Sequence, residues 1–197
     1  MSLSSRMVMV LTTVGVLSGG FLTTVGNLTK EKIALNKQRE IEKAITQVVP
    51  GTYSNKSLYK EKKLTIYGGI NDEGILLGYA IQATGVGFQD EITFMLGTNT
   101  ELTRINSLTI LEQKETPGLG AKITDKESFL QFWENKDCTQ PLSLRKPAVS
   151  SPEELALSEI NTITGATISS EAVLNTVNSS LVTARMLRKD GKLKFEE

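Results

Sequence analysis

No charged residue occurs between Met7 and Leu28, a run of 22 positions reading MVMVLTTVGVLSGGFLTTVGNL. In a bilayer such a run must satisfy its own backbone N–H and C=O groups, and for a single segment only a helix does so. At a rise of about 1.5 Å per residue it reaches about 33 Å, enough for a hydrocarbon core. A cleaved secretory leader is the competing reading. Arg6 supplies its charged start, but no small-x-small cleavage site follows before Lys30, and no cysteine stands where a lipoprotein would need one. An uncleaved single-pass anchor is therefore expected. Arg6 and the free amine flank one end, against the mixed Lys30-Glu31-Lys32 at the other. That asymmetry places the N-terminus in the cytoplasm and the rest of the chain outside. Gly15, Gly19 and Thr23 recur at spacing four, a stripe that admits close approach of another membrane helix, although glycine is common in membrane helices in any case.

Beyond the anchor the pattern changes from uniformly apolar to periodic. Ile33, Ile41, Ala44, Ile45 and Val48 fall near one face of a helix over 30–48, which Pro50-Gly51 stops. Strand-like runs follow at Leu64–Ile70, Ile75–Ala83, Ile92–Leu96 and Leu102–Leu111. Asn71-Asp72-Glu73-Gly74 and Gly97-Thr98-Asn99-Thr100 separate successive pairs as hairpin turns. A short amphipathic helix is expected near Lys126–Glu134 with Phe129, Leu130 and Trp133 inward, then a strand at Leu142–Lys146. A final helix at about Ser169–Lys189 would bury Val173, Val177, Leu181 and Ala184. The reading is α+β: an N-terminal single transmembrane helix (1–28), a connecting helix (29–50) and one domain (51–197) with an antiparallel sheet and flanking helices.

Composition matters mainly for what it removes. Lys+Arg and Asp+Glu both number 22, so no basic stripe invites nucleic acid. With no histidine, Ser-His-Asp and Cys-His catalysis are excluded along with any imidazole metal site. Cys138 is the only cysteine, so the chain forms no internal disulfide and cannot by itself supply the usual ligands of an iron–sulfur cluster. It follows the polar run Glu134-Asn135-Lys136-Asp137 and reads as incidental. No metal ligands and no catalytic acid or base are expected. Redox chemistry here would have to be carried by an organic cofactor.

Two segments stand out. Thr164-Gly165-Ala166-Thr167 brackets a tight turn with hydroxyls and opens onto the last helix, where free N–H groups and the helix dipole suit a phosphate. A plain helix cap is the alternative. Glu115-Thr116-Pro117-Gly118-Leu119-Gly120 has turn chemistry: proline fixes one φ, and glycine permits φ > 0. A third segment, Thr84-Gly85-Val86-Gly87-Phe88, reads as a structural turn flanking the site.

Together, Asn161-Thr162-Ile163-Thr164-Gly165-Ala166-Thr167 and Glu115–Gly120 resemble the FMN-binding domain of the G subunit of the Rnf electron-transport complex. The related C subunit of the sodium-translocating NADH:quinone oxidoreductase shares the pattern. The resemblance implies an extracytoplasmic FMN-binding domain with FMN attached covalently, through a phosphoester, to Thr167. A separate flavin transferase, using FAD and recognising Asp-x-x-Ser/Thr-Gly-Ala-Thr, would make the bond. Here Asn161 replaces the usual acid, keeping its shape and an acceptor oxygen, so an acid restored there should serve as well or better. Thr164, Gly165 and Ala166 would surround the phosphate. Glu115, Thr116, Gly118, Leu119 and Gly120 would surround the isoalloxazine ring, Thr116 on its polar edge and Leu119 on its face, with Phe88 as a ring neighbour. Lys146 stands near where the family places a lysine and would stabilise the phosphate or a reduced, negatively charged ring; a solvated surface lysine is the alternative. The implied role is electron relay in an ion-translocating ferredoxin:NAD oxidoreductase at the plasma or inner membrane. Its partners would be other membrane subunits, among them an iron–sulfur-bearing pair and a second flavin subunit. The C subunit of the quinone oxidoreductase and a non-redox anchored scaffold or sensor are the alternatives.

Overall fold

A computed structural model describes residues 2–193, and the chain divides into two compact units, Met1–Glu40 and Ile41–Glu197. One helix, α1 (Leu3–Val48), runs through the first unit and into the second. Among the described residues it is the one helix long and apolar enough to cross a membrane, and its apolar window is wholly unburied by protein. Its many threonines do not spoil it for lipid. Thr12, Thr13, Thr23, Thr24 and Thr29 each donate to the carbonyl four residues back, at 2.8–2.9 Å, so no hydroxyl among them is left to face hydrocarbon unpaired. Space beside Gly15, Gly19, Gly20 and Gly26 is open. Ile33, expected on the buried face, is exposed; burial along α1 begins only with Ile41, Ala44, Ile45 and Val48.

The second unit is built on an antiparallel meander in the order β1-β2-β3-β4-β5: β1 (Ser54–Lys60), β2 (Leu64–Ile70), β3 (Leu76–Val86), β4 (Glu91–Asn99) and β5 (Ile105–Glu112). Alternating side chains divide between its two faces. Ala80 and Met95 pack under the last turns of α1, against Ala44, Ile45, Val48 and Val49. Tyr79, Ile81, Phe94 and Leu96 point the other way, into the main core under α2 (Thr167–Lys189), which contributes Val173, Val177, Leu181 and Ala184 as expected. A small parallel pair, β6 (Ser143–Arg145) and β7 (Glu159–Asn161), completes the unit and leads the chain into α2.

Several expectations need correction. β1 has no counterpart among the expected strands: SNKSLYK is a polar edge strand with mostly exposed residues and no alternation to betray it. β7 is three residues long and equally silent. Thr84-Gly85-Val86, expected as a turn, continues β3, pairing with Thr93, Ile92 and Glu91; the turn itself is 87–90. Gly97-Thr98-Asn99 likewise belongs to β4, and the chain turns at 100–104, where Leu102 takes φ +58°. The segment near Lys126–Glu134 is a series of turns ending in a 3-10 helix, Leu130–Trp133, not an α-helix. Phe129, Phe132 and Trp133 are all buried there; Phe129 and Trp133 enter the main core, with Leu130 packed against it, as expected. Phe129 meets Trp133 edge to face at 5.7 Å. Cys138, expected in polar surroundings, is fully buried beside the Leu102 carbonyl, and burial pushes its thiol pKa up, which keeps it unreactive.

Candidate functional site

Two loops and one helix end enclose a cleft of about 350 Å³ in the second unit. The Glu115–Gly120 loop forms one wall with Glu115, Thr116, Leu119 and Gly120. The start of α2 forms the other with Gly165, Ala166, Thr167, Ile168 and Ser169, and Phe88 from the β3–β4 turn stands at the rim. The two segments singled out in the sequence, some 45 residues apart, thus share one cavity.

Local backbone chemistry explains why the walls run so close. Gly165 takes φ +81°, and a Cβ there would lie 3.3 Å from Leu119 Cδ2, across the cleft. At Gly120 a Cβ would lie 2.5 Å from Glu115 Oε2 and 2.7 Å from Ser169 Oγ, so only glycine leaves the loop its path over the helix end.

Glu115 ties the parts together. Its side chain is buried, and its two oxygens are shared between elements. Oε2 accepts from the Ser169 hydroxyl in the first turn of α2 at 2.7 Å, and Oε1 accepts from the Gln89 backbone N–H in the β3–β4 turn at 3.0 Å. Thr116 Oγ1 donates to Gln89 Oε1 at 3.1 Å and closes the same network. Hydrogen bonds to a buried carboxylate are worth about 1.5–3 kcal/mol each, and unpaired donors are penalised further. Glu115→Ala should therefore lower domain stability by about 3 kcal/mol or more, about 6–12 °C in melting temperature. Glu115→Gln, which keeps one acceptor and offers an amide donor to Ser169 Oγ, should lose less than half of that. Thermal unfolding of the detergent-solubilised chain, followed by circular dichroism, measures both. Equal losses for Ala and Gln would show that the carboxylate acts through its charge rather than as a tie.

Opposite Glu115, α2 begins without a side-chain cap: its N-cap is Ala166. Among the described residues, the backbone N–H groups of Thr167, Ile168 and Ser169 have no partner in the protein, and neither has the Thr167 hydroxyl. Free N–H groups at the positive end of a 23-residue helix are a binding arrangement for an anion, and here they border the cleft. Phe88, Leu119 and Ile168, all large, apolar and substantially exposed, rim the same cavity. Phosphate-compatible donors thus lie beside an apolar slot, which fits a flavin mononucleotide.

Residues 87–182 match the model of the FMN-binding domain family. The match covers a little under half of the chain. Its matched boundaries run from the β3–β4 turn into α2 and so contain both walls of the cleft. Among curated relatives, the G subunit of the ion-translocating oxidoreductase complex of Methanosarcina acetivorans is 30% identical over 115 residues, 58% of this chain and 55% of that protein. The G subunit of the Na(+)-translocating ferredoxin:NAD(+) oxidoreductase complex of Acetobacterium woodii is 29% identical over 130 residues, 66% of this chain and 59% of the relative. The chain thus spans less than two thirds of the length of these two relatives. The corresponding G subunit of the ion-translocating oxidoreductase complex of Vibrio vulnificus aligns over 179 residues at 26% identity, covering 82% of this chain and 80% of its own length. The crystal structure of Shewanella oneidensis NqrC superposes with a TM-score of 0.54 at 20% identity over 70% of each chain, which shows the shared fold.

Not every expected residue lines the cleft. Thr164 is exposed and borders a neighbouring polar cavity, and Gly118 sits at the loop tip with φ +77° and open space around it. Lys146 is not a lining residue; its ammonium pairs with Glu171 at 2.6 Å, and both side chains are about half exposed. Such an exposed pair adds little to stability. Conversely, Ser169 and Gln89 belong to the site without any sign of it in the sequence. Nothing around them signals that they bond Glu115, because that contact exists only once three elements have packed together.

Proposed function

We propose that this chain is a membrane-anchored flavoprotein subunit that carries FMN on Thr167 and relays electrons within an ion-translocating oxidoreductase complex of the ferredoxin:NAD type. The observation that carries the reading is the free Thr167 hydroxyl, at an uncapped helix N-terminus, facing a slot walled by the Glu115–Gly120 loop. Three relatives, each the G subunit of an ion-translocating oxidoreductase complex and one of them of the ferredoxin:NAD(+) type, support the assembly, and the FMN-binding domain match supports the cofactor. FMN, when bound, supplies reversible electron uptake that no side chain of this protein offers.

The residues have distinct duties. Thr167 provides the ester oxygen. The N–H groups of residues 167–169 and the dipole of α2 hold the charge left on the phosphate, an interaction of about 0.3–1 kcal/mol, more where partly buried. Leu119, Ile168 and Phe88 wall the ring and keep water from it, and Thr116 with the loop N–H groups meets its polar edge. Gly165 and Gly120 keep the two walls within reach of one ligand. Lys146 and Glu171 stand as a pair outside this contact set. Attachment requires a flavin transferase, because a threonine hydroxyl is a poor nucleophile without a base and this chain has no histidine.

The helix of the first unit anchors the protein and leaves its glycine stripe for other membrane subunits of the complex. The flank charges put the FMN-binding domain on the extracytoplasmic side. An impermeant thiol label should then reach a cysteine placed at exposed Lys189 in intact cells of a Cys138→Ser background; labelling only after lysis would reverse the orientation. The primary test is fluorescence. Chain made in a host that has the flavin transferase should glow under ultraviolet light on a denaturing gel, and a dark band would refute covalent attachment.

A further inference from the structure

Asn161, where the family pattern has an acid, is almost fully buried at the end of β7, six residues before Thr167. Its carboxamide is occupied at both ends by one residue's backbone. The Val149 N–H donates to Oδ1 at 2.9 Å, and Nδ2 donates to the Val149 carbonyl at 2.9 Å. The pairing fixes which way the amide points, since an acceptor must face the N–H and a donor must face the C=O. Thr162 and Ile163 are buried as well, and the Ile163 N–H reaches Ser170 Oγ at 3.3 Å. Of the stretch from Asn161 to Ile168, only Thr164, Gly165, Thr167 and Ile168 reach solvent appreciably.

We infer that Asn161 is a positioning residue for flavin attachment, acting through Val149 rather than by contact with the transferase, and that in this chain an acid cannot replace it. The inference rests on the proposed attachment of FMN to Thr167. In that transfer the Thr167 oxygen forms a bond to the flavin-side phosphorus of FAD, the bond between the two phosphates breaks, AMP leaves, and the hydroxyl proton passes to a base of the transferase. The folded chain presents Thr167 to that enzyme on a backbone whose approach runs through β7. Asn161 holds β7 to the 147–150 loop by two hydrogen bonds, and so sets the path of the chain into the Thr164–Thr167 turn. A carboxylate keeps the bond from the Val149 N–H but turns its second oxygen toward the Val149 carbonyl, replacing an attraction by a repulsion in a buried place.

Three substrates test this with the purified transferase and FAD. They are the detergent-solubilised full chain, its Asn161→Asp variant and its Val149→Pro variant, which deletes the N–H donor from the other end and leaves the motif untouched. Circular dichroism first confirms folding at the assay temperature. Both variants should label more slowly than the parent by roughly tenfold or more, and hydrogen exchange in peptides covering 147–150 should quicken in both. Unstructured synthetic peptides spanning 155–175 with Asn or Asp at 161 should differ by no more than about twofold, since neither has Val149 to hold. If Asn161→Asp fails to fold, Val149→Pro and the peptide pair decide. Faster or unchanged labelling of a folded Asn161→Asp chain would overturn the inference while leaving attachment at Thr167 standing, as would unchanged labelling of Val149→Pro or a strong preference for the Asp peptide. Failure of the parent chain to label at all would instead overturn the attachment itself, and the inference with it.

Discussion

Thr167→Val should remove covalent flavin entirely and leave the domain folded. Valine keeps the β-branched shape at the first position of α2, and the hydroxyl it replaces makes no hydrogen bond among the described residues. Stability should therefore change by no more than about 0.5 kcal/mol, the usual range for a partly exposed site without special contacts. Fluorescence on a denaturing gel should fall from full intensity to background, an all-or-none effect, because no other hydroxyl stands at the helix end facing the cleft except Ser169, which is committed to Glu115. Thr164 is the informative control. It lies outside the cleft, so Thr164→Val should retain the label. Fluorescence that survives Thr167→Val and disappears with Thr164→Val would move the attachment point to the other side of the turn.

Gly97→Ala should have the largest effect on folding of any single methyl added to this chain. Gly97 lies in β4 between Ala80 and Ser107, and the end of α1 crosses directly over it. A Cβ at this position would stand 2.5 Å from the Val48 carbonyl carbon and 2.8 Å from its Cβ, with the carbonyl oxygen nearer still. The obstacle is backbone on both sides, so no rotamer change relieves it. Either α1 lifts from the sheet, exposing Ile45, Val48 and Met95, or β4 shifts and breaks its ladders with β3 and β5. A loss above about 4 kcal/mol follows, enough to unfold a domain of ordinary stability. Denaturant unfolding of the solubilised chain measures it, and a loss below about 1 kcal/mol would contradict so close a crossing of helix and strand.

Gly97 also shows where local pattern misleads. Beside Thr98, Asn99 and Thr100 it has the chemistry of a turn, yet it serves as the residue small enough for a helix to rest on a central strand. That information lies in Val48, 49 residues away, and no local pattern carries it. Elements with a strong period were legible: β2 has its expected limits, and the four residues expected on the buried face of α2 are all buried, joined by Leu174 and Leu187. Elements without one were not. β1 is a polar edge strand and β7 only three residues long, whereas β6 falls within the strand expected at Leu142–Lys146.

The site divides in the same way. Turn chemistry exposed both of its loops, since glycine and proline declare themselves locally. Their meeting across one cleft came from the resemblance, and the ties that hold them, Glu115 to Ser169 and to Gln89, are tertiary. Asn161 illustrates the limit best. Read alone it is a neutral copy of an acid, whereas its place against Val149 makes use of the amide donor that an acid lacks.

Intact mass of the denatured chain, purified from a host that has the flavin transferase, tests the central claim most directly. One FMN joined by a phosphoester predicts a mass greater than that of the polypeptide by one FMN minus one water, with the whole increment on the peptide containing Thr167 and none of it in Thr167→Val. A chain at its bare polypeptide mass, or an increment that maps to any other residue, would contradict the account.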